Sequence, residues 1–137
     1  MTGVARDRIG VGVVGYGWIA RAHVHALRVL DHLGFPARIE PVVVAGRTTE
    51  RVKAFAQELG FGRWTTDASE AATADDVDVV LVATPVEAHA DSVHAALRAG
   101  KAVLSEKPLA VDAAEARGLA DAADAAGLTN ATGFNYR

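Results

Sequence analysis

The chain has 137 residues, half of them apolar and 23% charged, with a formal net charge of −3. That length suits one domain with a full hydrophobic core, and the composition is ordinary for a globular protein. The lack of cysteine excludes disulfides, thiolate metal centres and cysteine nucleophiles, and the mild negative charge gives no electrostatic footprint for nucleic acid or an anionic membrane surface.

Arg6 and Arg8 stand before an apolar run, Ile9 to Val14, and Ala20-Arg21-Ala22 imitates a signal-peptidase site. Regularly placed glycines and the helical pattern that follows explain the run better as a buried, β-branched strand. Next, Ile19, His23, Ala26, Leu27, Leu30 and Leu33 recur at helical spacing and predict one apolar stripe. Gly34, Pro36 and Pro41 mark a break, and Pro41 to Ala45 reads as a second strand with proline at its entry. Thr49 to Leu59 reads as a helix closed by Gly60, followed by a weak strand around Arg63 to Thr65 and a short helix from Asp67. Val77 to Ala83 is the clearest strand. Thr84-Pro85-Val86-Glu87 has the form of a capping box with proline at the first helical position, which predicts one helix running to Ala99 and stopping at Gly100. Ala102 to Ser105 is a fifth strand. Asp112-Ala113-Ala114-Glu115 opens a last helix by the same capping logic, ending at Gly127, and Leu128 to Phe134 reads as a sixth strand. No stretch approaches the roughly 20 apolar residues a membrane span needs, and the expected location is cytoplasmic.

Strands alternate with helices throughout, and several strands are apolar without alternation, the mark of a parallel sheet covered on both faces. The expectation is a single α/β domain over residues 1–137. It is a doubly wound, mainly parallel six-stranded Rossmann-type sheet with helices on both faces and strand order 3-2-1-4-5-6.

Between the first strand and first helix stands Gly15-Tyr16-Gly17-Trp18-Ile19-Ala20, a G-x-G-x-x-A dinucleotide fingerprint. Gly15 permits the turn, Gly17 lets backbone approach a pyrophosphate, and Ala20 lets the helix pack closely on the strand. The helix N-terminus presents free N–H groups to the anion. An acid on the ribose is expected about 20 residues on. Counting lands on Glu40, which lies before the second strand rather than beyond its carboxyl end. That end reads Ala45-Gly46-Arg47-Thr48-Thr49 and has no acid. Arg47 can pair a 2′-phosphate bidentately and Thr48 can add a hydroxyl, which favours NADP over NAD; the alternative is that Arg47 is a solvated loop residue.

His23 and His25, two residues apart on a helix, point to nearly opposite sides, and His89 and His94 share no face, so no metal site is expected. His89, one turn into the helix after Thr84-Pro85, is either a ligand contact or a surface histidine. There is no G-x-S-x-G elbow and no Walker loop, which excludes the serine-hydrolase and P-loop readings.

The fingerprint, Ala83-Thr84-Pro85 with His89, Glu106-Lys107-Pro108 and Gly133-Phe134-Asn135-Tyr136-Arg137 stand in order at successive strand ends. Together they resemble the N-terminal domain of the Gfo/Idh/MocA oxidoreductase family (glucose–fructose oxidoreductase, inositol dehydrogenase and relatives), over essentially the whole chain. The E-K-P tripeptide is the most specific part. The resemblance implies an NAD(P)-dependent oxidoreductase passing hydride between the nicotinamide and a carbinol carbon of a sugar, polyol or related small substrate. By that likeness Lys107 is the catalytic or orienting residue beside the nicotinamide, and Glu106 contacts the nicotinamide–ribose region. Ala83, Thr84 and Pro85 line the cofactor, and Asn135 approaches the nicotinamide. The residue chemistry agrees: a lysine can take part in acid–base work, and its charge can stabilise a developing alkoxide. The bland alternative for Glu106 and Lys107 is a solvated strand end.

Family members carry a second, larger α/β domain that supplies most of the substrate pocket and the oligomer interface. The sequence ends at Arg137, where that domain would begin, so the expectation is a fragment or stand-alone half that holds cofactor and turns substrate over poorly. A non-catalytic nucleotide-sensing or scaffold module with the same fold is the alternative reading, and a methyl-donor-binding domain a distant third.

Overall fold

The computed structural model describes residues 7–136, so Arg6 of the signal-like stretch and Arg137 of the last motif lie outside the described residues. Six strands form one all-parallel sheet: β1 (Arg8–Val14), β2 (Arg38–Ala45), β3 (Arg63–Thr65), β4 (Val79–Val82), β5 (Ala102–Ser105) and β6 (Asn130–Thr132). Their order is β3-β2-β1-β4-β5-β6, as expected from the sequence. The crossovers carry α1 (Trp18–His32), α2 (Thr49–Glu58), α3 (Ala68–Thr73), α4 (His89–Arg98) and α5 (Ala113–Ala126). The signal-like run is β1, between β2 and β4 near the middle of the sheet. Among the described residues no helix is long and apolar enough to cross a membrane.

The strands read as continuous apolar runs because both faces are covered. On one face Val11, Val13, Val44 and Leu81 meet Ala20 and Val24 of α1 and Val52, Phe55 and Ala56 of α2. On the other, Val14, Val80, Val82 and Val103 meet Ala71 and Ala72 of α3, Val93 and Ala96 of α4, and Leu119 and Ala123 of α5. Small residues dominate the helix sides, so the helices can lie close to the sheet.

The structure corrects several local expectations. Pro41 is not at the entry of β2, which begins three residues earlier at Arg38. Proline is tolerated there because β3 pairs only with Val43–Ala45, so Pro41 lies outside that ladder with its carbonyl accepting from the Gly62 N–H, and because the β1 ladder shifts immediately afterwards: Val11 faces Pro41, but Gly12 faces Val43. The extra residue sends consecutive Val42 and Val43 into the same core. On α1 the buried stripe is centred on Ala20 and Val24, with Ile19 and Leu27 partly buried, whereas Ala26 and Leu33 are exposed. Counting apolar side chains favoured the bulky leucines; close packing on the sheet selects the small residues. β4 and β6 are shorter at both ends than their apolar runs. Val77 is instead tied back to the Ala74 carbonyl, and the Phe134 N–H turns to Thr132.

Asp112 caps α5 as expected, its Oδ1 accepting from the N–H groups of Ala114 and Glu115 at 2.9 Å, and Gly127 ends the helix at φ 62°. The Thr84 capping box does not form. Pro85 leads into a 3₁₀ turn (Val86–Ala88), α4 begins only at His89, and neither start has a side-chain cap.

At the amino end of the sheet, Arg63 grips Asp76 bidentately at 2.7 and 2.8 Å, and this charge-assisted pair holds the Asp76 carboxyl below its ordinary 3.8. A carboxylate with a lowered folded value contributes stability above its unfolded pKa and loses it as pH falls through the folded one. Both side chains are nearly half exposed, so solvent screening keeps the contribution to about 0.5 kcal/mol. The urea midpoint of Asp76→Asn is expected to fall slightly below wild type near neutrality, with the gap closing as pH drops below about 4. A gap unchanged at acid pH would show that the pair is not its source.

Candidate functional site

A cavity of about 710 Å³ opens at the carboxyl ends of β1, β2 and β4. In this strand order the chain reverses between β1 and β4, which is where open parallel sheets keep a ligand crevice. Gly15, Tyr16 and Gly17 form one rim, Arg47 and Arg51 a second, and Ala83, Thr84 and Pro85 a third.

The turn after β1 demands glycine at position 15. Its φ is +113°, and a Cβ there would lie 2.4 Å from the Ala83 carbonyl oxygen. Its N–H donates to Ala45 at 2.9 Å, tying the turn to the end of β2. Gly17, by contrast, has open space where a Cβ would stand, so a side chain there would enter the cavity mouth. The next helix starts at Trp18, and its free N–H groups give this mouth an anion-binding character.

Tyr16 lies across the end of β2. Its ring covers Gly46, where a Cβ would come within 1.9 Å of it, and its hydroxyl donates to Thr48 Oγ1 at 3.2 Å. The Arg51 guanidinium sits 5.4 Å from the ring centroid, within cation–π range. Arg47 and Arg51 thus bring two cationic groups to one wall. Glu40 is elsewhere: in the amino half of β2 it accepts from Arg8 Nε at 2.6 Å, so the acid reached by simple counting is a structural ion-pair partner. Thr84 Oγ1 is buried and without a hydrogen-bond partner, on a residue that lines the cavity. An orphaned hydroxyl of that kind fits a polar ligand, since leaving it unpaired costs stability.

Seven of the residues singled out from sequence line this cavity: Gly15, Tyr16, Gly17, Arg47, Ala83, Thr84 and Pro85. The others are placed differently. Ala20 is fully buried against the sheet, Ile19 is partly buried beside it, and Trp18 is 79% exposed. Thr48 is held by Tyr16 and precedes α2 as its N-cap. His89 is neither a cavity residue nor a surface one. It is buried, its Nε2–H donating to the Thr84 carbonyl at 2.9 Å and its Nδ1 lying 3.3 Å from the Leu109 carbonyl, so it ties the end of β4 to the segment after Lys107-Pro108. Glu106, Lys107 and Asn135 lie beyond the cavity at the ends of β5 and β6; Glu106 is buried, whereas Lys107 and Asn135 are exposed.

Sequence reasoning passed over Arg51, Glu87 and Ser92, which also line the cavity. Arg51 was findable, since it stands in the first turn of the helix that opens just after Arg47. His23, expected from the sequence in the apolar stripe and excluded as a metal ligand, donates Nε2–H to Glu106 Oε1 at 2.7 Å. Among the described residues no group of three or more His, Asp or Glu side chains could hold a metal ion.

A family model described as an oxidoreductase family with an NAD-binding Rossmann fold matches residues 9–134. Levoglucosan dehydrogenase of Pseudarthrobacter phenanthrenivorans is 34% identical over 133 residues, which are 96% of this chain and 34% of that protein. The 1,5-anhydro-D-fructose reductase of Ensifer adhaerens is 38% identical over 127 residues, covering 92% of this chain and 36% of the other. The chain thus spans about a third of the length of the curated relatives it matches. A solved levoglucosan dehydrogenase complex with NADH superposes with a TM-score of 0.90 at 32% identity, over 95% of this chain and 36% of that one.

Proposed function

Because this chain belongs to the Gfo/Idh/MocA oxidoreductase family, we propose that it holds a nicotinamide dinucleotide across the ends of β1, β2, β4 and β5 and presents Lys107 to a sugar, polyol or related small substrate. The observation that carries this reading is the cavity at the sheet's reversal point. A glycine turn, a helix N-terminus, paired arginines and an unpartnered threonine hydroxyl converge there.

The chain's own groups have separable tasks. The Gly15–Gly17 turn and the first N–H groups of α1 receive the pyrophosphate. Thr84 Oγ1 gains the partner it lacks. Arg47 and Arg51 receive the adenosine ribose, and two guanidinium groups beyond a β2 end, Ala45 to Thr49, that carries no acid favour a 2′-phosphate, hence NADP over NAD. When bound, the nicotinamide supplies hydride transfer. Lys107 holds or moves the proton at Nζ and offsets charge developing on the substrate oxygen.

Calorimetry with NADPH, NADH and S-adenosylmethionine tests this, first on wild type and then on Arg47→Asp. NADPH is expected to bind tightest, and Arg47→Asp to weaken NADPH by about tenfold to a hundredfold while leaving NADH nearly unchanged, since a charge-assisted pair is lost and a like charge added. Equal affinity for NADH and NADPH in wild type would overturn the NADP preference. Binding of neither, or of S-adenosylmethionine alone, would overturn the dinucleotide reading.

A further inference from the structure

Glu106 is a carboxylate at the end of β5 that is only 7% exposed. A carboxylate removed from water needs its oxygens matched by donors. His23 Nε2–H donates to Oε1 at 2.7 Å, and the Lys107 backbone N–H reaches Oε2 at 3.2 Å. On the third side is Gly133, whose N–H is tied to the Ser105 carbonyl at 2.8 Å. It lies so close that a Cβ there would stand 2.6 Å from Oε1 and 3.0 Å from Cδ. The carboxylate is therefore clamped toward α1.

The same carboxylate that His23 holds accepts the Lys107 backbone N–H, so the clamp on Glu106 reaches the bend after β5 from which the exposed Lys107 side chain leaves. The helix that supplies His23 begins at Trp18, directly after the glycine turn. One hydrogen bond thus links the phosphate-binding end of the site to the residue next to Lys107, across 83 positions of sequence.

We infer that His23 is a positioning residue for Lys107, acting through Glu106: it fixes the bend after β5 from which Lys107 leaves and hence how its ammonium meets the nicotinamide half of a dinucleotide held at the glycine turn. This rests on the dinucleotide reading above. The competing view, that the His23–Glu106 pair merely holds the fold together, makes a different prediction about ligands.

The discriminating measurement compares affinity for NADPH with affinity for 2′-phospho-ADP-ribose, which lacks the nicotinamide. In wild type NADPH should bind tighter. His23→Ala is expected to cut that advantage by about fivefold to tenfold, the size of a lost hydrogen bond to a charged group, while affinity for the truncated ligand stays within about twofold. His23→Gln, whose amide N–H can still reach the carboxylate, should restore most of the advantage. In a Lys107→Ala background, adding His23→Ala should change the ratio by less than about twofold.

The inference is overturned if His23→Ala weakens both ligands equally, if it alters neither, or if it still lowers the ratio when Lys107 is absent. Should wild type bind both ligands equally, the nicotinamide half makes no contact for Lys107 to tune and the inference alone falls; should it bind neither of them nor NADH, the dinucleotide reading fails and the inference falls with it.

Discussion

Gly15→Val is expected to cost the fold about 2–5 kcal/mol and to abolish NADPH binding. Two independent penalties combine. A backbone φ of +113° is nearly closed to a β-branched residue, and the new Cβ would press on the Ala83 carbonyl, which is backbone and cannot swing aside. Relief requires the turn to move away from β4, opening the cavity between its first and third rims. Urea denaturation reads the first effect and calorimetry the second. A Gly15→Val protein that kept both its midpoint and its affinity would show that the turn is not the one described.

The second large effect lies outside the cavity. Phe55, on α2, is buried among Val11, Val13, Val24 and Val44, with the Phe61 ring centroid 6.1 Å away and the Arg21 guanidinium 5.2 Å from its own centroid. Phe55→Ala is expected to destabilise by about 3–5 kcal/mol, because the valines around it cannot collapse into the space. Against a total of roughly 5–15 kcal/mol for a domain of this size, that is a large share. Phe55→Leu should cost less than half as much. A loss under about 1 kcal/mol for the alanine variant, read from urea midpoints at unchanged slope, would mean that α2 repacks against the sheet.

The architecture was legible in the sequence because its signals are local. The β-branched runs, the glycine turn after β1 and the caps at Asp112 and Gly127 each lie within a few residues, and together they leave little choice but a doubly wound sheet. Part of the cavity lining was legible for the same reason, since Gly15, Tyr16, Gly17 and Arg47 stand at strand ends that the fold then gathers.

What escaped was non-local or competitive. The stripe on α1 could not be phased from apolarity alone, because the surface it meets belongs to other strands. Thr84 carries a valid capping pattern, yet its hydroxyl makes no hydrogen bond and its carbonyl accepts from the His89 side chain five residues on. His89 is no surface histidine, because it is buried with backbone carbonyls of Thr84 and Leu109 as its partners, and nothing local in the sequence announces them. Nothing near His23 in the sequence announces Glu106.

The register shift in β2 divides one strand into two stretches of opposite phase. Before it, Ile39 turns to the α1–α2 side; after it, Val43 and Ala45 turn to the other and Val44 takes over the first. The two stretches consequently answer to different demands. The amino stretch satisfies the Arg8–Glu40 pair, while the carboxyl stretch sets the orientation in which Arg47 reaches the crevice. Substitutions in one can accumulate without disturbing the other, and the joint between them is the one place where the strand absorbs a change in length. Losing Val42 would set Pro41 and Val43 against the consecutive Val11 and Gly12 and leave Val43, Val44 and Ala45 on their present faces, whereas losing a residue beyond Val43 would turn the side chains that follow to the opposite face.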